Sequence, residues 1–160
     1  MPNVFQPEFD EPRDREGFRA RRARTGYQLG TERLGASVWE IDPGEAAYPF
    51  HYHFTEEELL VVLEGRPSLR TPSGWRELEA GEIVSFRRGE EGAHQLVNRT
   101  AGTVRFLAIS TNGDPDLVVY PDSQKLGAAE RLPAGGGFRK YFRLESEVDY
   151  YDRETPPCPQ

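Results

Sequence analysis

The chain holds three histidines, at positions 51, 53 and 94. Two form His51-Tyr52-His53, followed by Glu58 and Gly65. The third closes Gly89-Glu90-Glu91-Gly92-Ala93-His94, with Asn98 beyond it. Imidazole is the commonest metal-binding side chain, and every imidazole of this chain stands in one of two short motifs. That placement points to a single metal site. A hard or borderline divalent ion wants several N and O donors converging on one point. Histidines two apart on a strand share a face and reach one spot. A carboxylate entering the next strand can approach from the side, and a third histidine on a later, adjacent strand completes the set. The only cysteine, Cys158, lies in a Pro-rich tail, so an internal disulfide is excluded and thiolate-based zinc or iron–sulfur sites are not expected.

These residues need rigid elements to carry them, and the sequence favours strands. Its 13 prolines and 16 glycines are dispersed and leave little room for helical periodicity. Short runs rich in Val, Ile, Leu, Phe and Tyr recur instead, bounded by turn residues, as in an all-β sandwich or barrel. Strands are expected over 18–24 and 35–41, the second closed by Asp42-Pro43-Gly44. A dense β region follows over 48–111. Its turns are Glu64-Gly65-Arg66-Pro67, Thr71-Pro72-Ser73-Gly74, Ala80-Gly81, Arg88-Gly89 and Asn112-Gly113-Asp114-Pro115. Further strands are expected over 117–120 and 138–144, separated by a flexible Ala134-Gly135-Gly136-Gly137. The parity that sets His51 and His53 on one face sets Phe50, Tyr52 and Phe54 on the other. Leu59-Leu60-Val61-Val62-Leu63 is apolar on both faces. Both features ask for cover, and a homodimer is expected to supply it.

A chain of 160 residues is most simply one domain. Residues 1–16 are expected to form an arm, 17–150 a barrel with flanking strands (core 36–111), and 151–160 a flexible tail. The net charge of −7 argues against a general nucleic-acid binder. Arg19, Arg21, Arg22 and Arg24 form one basic run, expected on a solvated strand and offset by Glu8, Asp10, Glu11, Asp14 and Glu16 upstream. Residues 1–12 lack the apolar core of a signal peptide, and no segment approaches membrane-spanning length. A cytoplasmic location with no membrane partner is the expectation.

Gly44, His51, His53, Glu58 and Gly65, followed by Gly81, His94 and Asn98, resemble the two motifs of the cupins, in particular single-domain bacterial cupins. The resemblance covers the middle half of the chain. It implies a double-stranded β-helix, a jelly-roll barrel of antiparallel strands, with an N-terminal arm and a C-terminal extension. Carried over by position, it makes His51, His53, Glu58 and His94 the ligands of a divalent metal (Fe, Mn, Zn or Ni), Gly65 and Gly81 turn glycines, and Asn98 a support residue. Glu57 is the alternative to Glu58, whose spacing to Gly65 fits the motif. Two departures stand out. Arg87 occupies a position usually held by proline, and the loop from Gly89 to His94 is longer than the common form.

Such a ligand set leaves up to two positions open on a six-coordinate ion, for water, dioxygen or a bidentate organic ligand. The expected ligand is a small organic molecule in the barrel, with Leu60 and Val62 lining the mouth. Cupins include dioxygenases, isomerases, decarboxylases and non-catalytic binders, so the family leaves the reaction open. The expectation is a metal-dependent enzyme of dioxygenase or isomerase type, acting on a small organic acid or sugar derivative. The alternative is a small-molecule-binding or sensor protein without turnover. Glu56, Glu57, Arg87 and Arg88 are candidates for proton transfer or anion steering, but each is expected in an exposed loop.

Overall fold

Among the described residues, turn residues separate thirteen strands. The structure, a computed structural model, describes residues 1–130 and 137–156; Cys158 and the expected linker at Ala134, Gly135 and Gly136 lie outside the described residues. The strands are β1 (Glu11–Arg13), β2 (Ala20–Ala23), β3 (Leu34–Ile41), β4 (Tyr52–His53), β5 (Glu58–Glu64), β6 (Ser68–Thr71) and β7 (Gly74–Glu77). There follow β8 (Ile83–Phe86), β9 (Gln95–Val97), β10 (Val104–Thr111), β11 (Asp116–Tyr120), β12 (Lys125–Ala129) and β13 (Arg139–Arg143). One helical turn, α1 (Thr25–Gln28), separates β2 from β3. No helix among the described residues is long and apolar enough to cross a membrane.

Three antiparallel sheets build a jelly roll: β1-β2-β3-β10-β5-β8, β13-β12-β11-β4 and β7-β6-β9. Alternation of side chains sets the core. Phe106 on β10 pairs with Trp39 on one side and Val62 on the other, so three large apolar side chains lie in one row across the first sheet. The Trp39 and Phe106 rings stack with centroids 6.3 Å apart. Ile41, Leu60, Leu69, Leu78, Phe86, Leu96 and Val104 fill the same interior. Burial of such a face fixes strand register, because a one-residue slip would turn it to water.

The opposite face of the first sheet is held by charge. Glu40 is buried, with Arg21 and Arg105 as its cross-strand neighbours. Its carboxylate accepts from Arg105 Nε at 3.0 Å and closely from Arg21. The basic run thus spans β2 and its two flanks, with upstream acidic partners. Arg19 meets Asp14 at 3.2 Å, Arg22 meets Glu11 at 3.4 Å and Arg24 meets Asp10 at 3.4 Å. These pairings attach β1 and the adjoining arm to the barrel.

Other differences from the sequence-based expectation have local causes. Lys125–Ala129 is a strand although Gly127, Ala128 and Ala129 have low strand propensity; pairing with β11 on one side and β13 on the other overrides that preference. In the aromatic stripe, Phe50 is buried under the Arg70 guanidinium, 4.1 Å from the ring, Tyr52 is half-buried and Phe54 is 50% exposed.

Candidate metal centre and its cavity

Three of the four expected ligands lie within residues 51–58, and the fold brings His94 to them from a later part of the chain. His53 lies on β4 and Glu58 begins β5. His51 and His94 are cross-strand partners in an isolated bridge, with His94 N donating to His51 O at 2.9 Å and His51 N to His94 O at 3.2 Å. The His51 ring centroid is 4.9 Å from that of His53 and 4.8 Å from that of His94. Ligating atoms of His51, His53 and Glu58 lie within 4.8 Å of one another. His94 joins through Glu58, its Nε2 standing 3.3 Å from Oε2.

Each imidazole is oriented by what its Nδ1 touches. His51 Nδ1 donates to Pro49 O at 2.9 Å and His94 Nδ1 to Gly92 O at 3.0 Å. His53 Nδ1 donates to Asp116 Oδ2 at 2.9 Å. A carbonyl or carboxylate can only accept, so the hydrogen sits on Nδ1 and Nε2 keeps its lone pair. This is the second-layer arrangement that orients metal-binding histidines and sets their tautomer. Glu58 Oε2 is buried and accepts no hydrogen bond among the described residues. A buried, acceptor-only oxygen facing imidazole lone pairs is costly unless a cation neutralises it. The donor set of three nitrogens and one oxygen therefore suits a divalent ion.

The loop carrying His94 depends on Gly92. A Cβ built there would meet Arg87 O at 1.7 Å, so only glycine lets the 3-10 turn Glu90–Gly92 fold down and aim His94 inward. This turn takes up the extra length of the loop. Asn98 is buried and ties the end of that hairpin. Its Nδ2 donates to Ile41 O at 3.0 Å and Gly102 O at 2.7 Å, and its Oδ1 accepts from Thr100 N at 3.0 Å. Phe86 stacks on His94 at 3.7 Å between centroids, and Tyr48 meets His51 edge-on at 4.9 Å.

Electrostatics divide the histidines. Burial pushes His51 well below the ordinary imidazole value, helped by the neighbouring His94 and His53. Burial also lowers His94, against the opposing pull of Glu58. For His53 burial acts downward too, but the Asp116 hydrogen bond and the charges of Glu58, Asp116 and Glu56 carry it above the ordinary value. Burial raises the Tyr48 and Tyr120 phenols, with Glu58 adding to the effect at Tyr48 and Tyr141 at Tyr120, so both stay protonated donors.

These groups line one cavity of about 380 Å³. Leu60 lines it as expected, whereas Val62 points into the core instead. Arg87 and Arg88 are exposed, as is Glu57. Glu56 corrects the exposed-loop expectation. It is 2% exposed, turned in beside His53 with Oε2 3.9 Å from Nδ1, and it lines the cavity.

Residues 37–110 match the family model described as the cupin domain. That segment is a cupin domain. Among solved structures, the chain resembles a sugar phosphate isomerase of the cupin superfamily from Silicibacter pomeroyi. The identity is 24%, the TM-score 0.73, and the match covers 86% of this chain and 83% of that one. A candidate sugar phosphate isomerase from Acidithiobacillus ferrooxidans matches at 25% identity and TM-score 0.72, covering 83% and 81%. The polyketide cyclase RemF from Streptomyces resistomycificus matches at 28% and 0.50, covering 57% and 64%. Comparison with curated proteins finds no match.

Sequence reasoning missed Asp116, which holds His53 and accepts from Thr55 Oγ1 at 3.0 Å. The available signal was Asp116 opening the apolar run Leu117-Val118-Val119 after a turn. An acid at that place on a strand next to the histidines had a face to share with them.

Proposed function

We propose that this cupin holds a divalent metal ion on His51, His53, Glu58 and His94 and isomerises a small, oxygen-rich organic molecule in the cavity above it. The observation that carries the reading is the orphaned Glu58 Oε2 among imidazoles whose Nδ1 atoms are already committed. When bound, the ion supplies Lewis acidity to a substrate oxygen. Isomerisation needs groups that take a proton from one atom and return it to its neighbour. The buried Glu56 carboxylate and the Tyr48 and Tyr120 phenols line the same cavity as the ligands. Ser37, Ser110 and Asn112 add hydrogen-bonding groups, which suits a hydroxylated molecule. The likeness to the Acidithiobacillus ferrooxidans candidate isomerase over most of both chains supports this reaction type over oxygen chemistry.

The test is elemental analysis of the purified protein, joined to an assay of aldose–ketose interconversion before and after chelation. A stoichiometric metal with chelator-sensitive turnover is expected. Metal and ligand binding without turnover would make the protein a binding or sensor cupin. Oxygen consumption by an iron-loaded sample would favour a dioxygenase.

We also propose a homodimer. Phe142, Leu144, Tyr150 and Tyr151 are exposed on and after β13, and such exposed apolar groups mark association. Light scattering that gives a monomer mass at micromolar concentration would remove this proposal.

A further inference from the structure

We propose that β12 and β13 build an anion cradle, with Lys125 and Arg139 as its main cations and Arg13 facing them, so that the molecule bound in the cavity carries a phosphate or carboxylate at its end away from the histidines. The proposal rests on the reading of the cavity as a small-molecule site, and it adds the charge of the ligand.

The register of the second sheet carries the argument. His53 pairs with Val118, Val118 with Gly127, and Gly127 with Tyr141. Directly paired residues share a face, and so do residues two apart on one strand. The face that presents His53 therefore also presents Tyr120 on β11, Lys125 on β12 and Arg139 on β13. All of these side chains line the same cavity. With strands spaced about 4.8 Å apart, β12 and β13 stand roughly 10 and 14 Å from the strand of His53. Lys125 stands level with Tyr120 and Arg139 level with Asp116, so the two cations flank the side of the cavity away from the strand of His53.

The floor between that side and the histidines is kept low. A Cβ on Gly127 would lie 3.0 Å from Tyr141 Cε1 and 3.4 Å from Tyr120 Cε2. Glycine lets both phenol rings lie across the strand, while Ala129 adds only a methyl group beside Arg139, its cross-strand partner. Tyr120 links the two sides, its ring 6.0 Å from His51 in a stacked arrangement and 6.0 Å from Tyr141. Lys125 Nζ stands 5.2 Å from the Tyr120 ring.

Charge completes the case. Lys125 and Arg139 have no carboxylate partner among the described residues, and both line the cavity. Arg13 reaches the cavity from the opposite sheet, stacked 4.6 Å over Trp39 and sharing Glu11 with Arg22. In a chain of net charge −7, a cationic side to the cavity concentrates an anionic ligand and fixes its direction by charge-assisted hydrogen bonds. The acidic side, with Glu56, Glu58 and Asp116, repels the same group and so enforces one orientation.

Isothermal titration of the full chain, incubated with Mn(II), tests this with three probes that differ only at C6: glucose 6-phosphate, glucuronate and glucose. At least one anionic probe is expected to bind about tenfold or more tightly than glucose, with an affinity that falls as salt rises. The two anions distinguish phosphate from carboxylate. K125Q/R139Q is expected to lose this preference while keeping its glucose affinity, thermal midpoint and metal content; the single variants K125Q and R139Q serve if the double variant folds poorly. The cradle is overturned if neither anion binds more tightly than glucose or if the variants keep the preference. Metal content, measured on the same samples, reports separately on the histidine site, so a protein that binds metal but ignores the C6 charge refutes the cradle alone.

Discussion

Asp116 Oδ2 accepts from His53 Nδ1 at 2.9 Å, and this bond turns the opposite nitrogen of the ring toward Glu58, 3.6 Å away. The carboxylate does for His53 what backbone carbonyls do for His51 and His94, with a full charge added. D116N is expected to weaken metal affinity about 10- to 100-fold with a native circular-dichroism spectrum. Chelator competition measures the change.

Glu58 and Glu57 are adjacent in sequence and opposite in environment. Glu57 is exposed and its backbone N donates to Thr111 Oγ1 at 3.0 Å, while Glu58 Oε2 stands among the imidazoles. E58Q should lose stoichiometric metal, and E57Q should keep it, by elemental analysis of proteins purified side by side.

Gly92→Ala forces the Glu90–Gly92 turn away from Arg87 O. His94 moves with the turn, so the variant is expected to lose metal affinity by about tenfold or more, since small displacements of a ligand weaken a site held within tight tolerances. Ala93 is buried and Phe86 of the core stacks on His94, so the thermal midpoint of the metal-free protein should fall too, and metal affinity is compared well below both midpoints.

The pH dependence of the metal-free protein follows from the imidazoles. Below about pH 6.5 an unfolded histidine takes up a proton that folded His51 and His94, both lowered by burial, refuse. The unfolded state then binds more protons, and stability falls as pH falls. His53, raised on balance, acts the other way: its contribution is present below the unfolded value and is lost as pH rises through the folded one. Two groups oppose one, so the thermal midpoint in chelator should drop between pH 6.5 and 5. H51Q/H94Q should flatten that slope, and an unchanged slope would count against the assignment.

Glu40 gives a stability prediction away from the site. E40A takes from Arg105 its buried partner and leaves it the exposed Glu64 carboxylate at 3.2 Å, and Arg105 retains some access to water. A loss of about 2 kcal/mol is expected, below the range for fully enclosed pairs, and urea denaturation checks it.

Strand parity made the shared face of His51 and His53 legible in the sequence, and turn residues marked most strand ends. Pairing across the chain was not legible. Asp116 lies 63 positions from His53, and nothing local couples them. Glu56 belongs to a glutamate run that ordinarily sits in water; here the chain turns it inward beside His53. Lys125–Ala129 hid as a strand because its small residues carry no β pattern, yet their smallness leaves the cavity open.

The bridge between His51 and His94 joins segments that only the closed jelly roll brings side by side. An ion gripped there would draw its binding energy from the native topology as a whole, because an unfolded chain offers no converging set of ligands. It would therefore raise the thermal midpoint of the entire barrel by mass action, like a clasp that shuts only when both halves of a case have met. Retention of metal by this chain would thus gauge directly whether these separated segments have found each other.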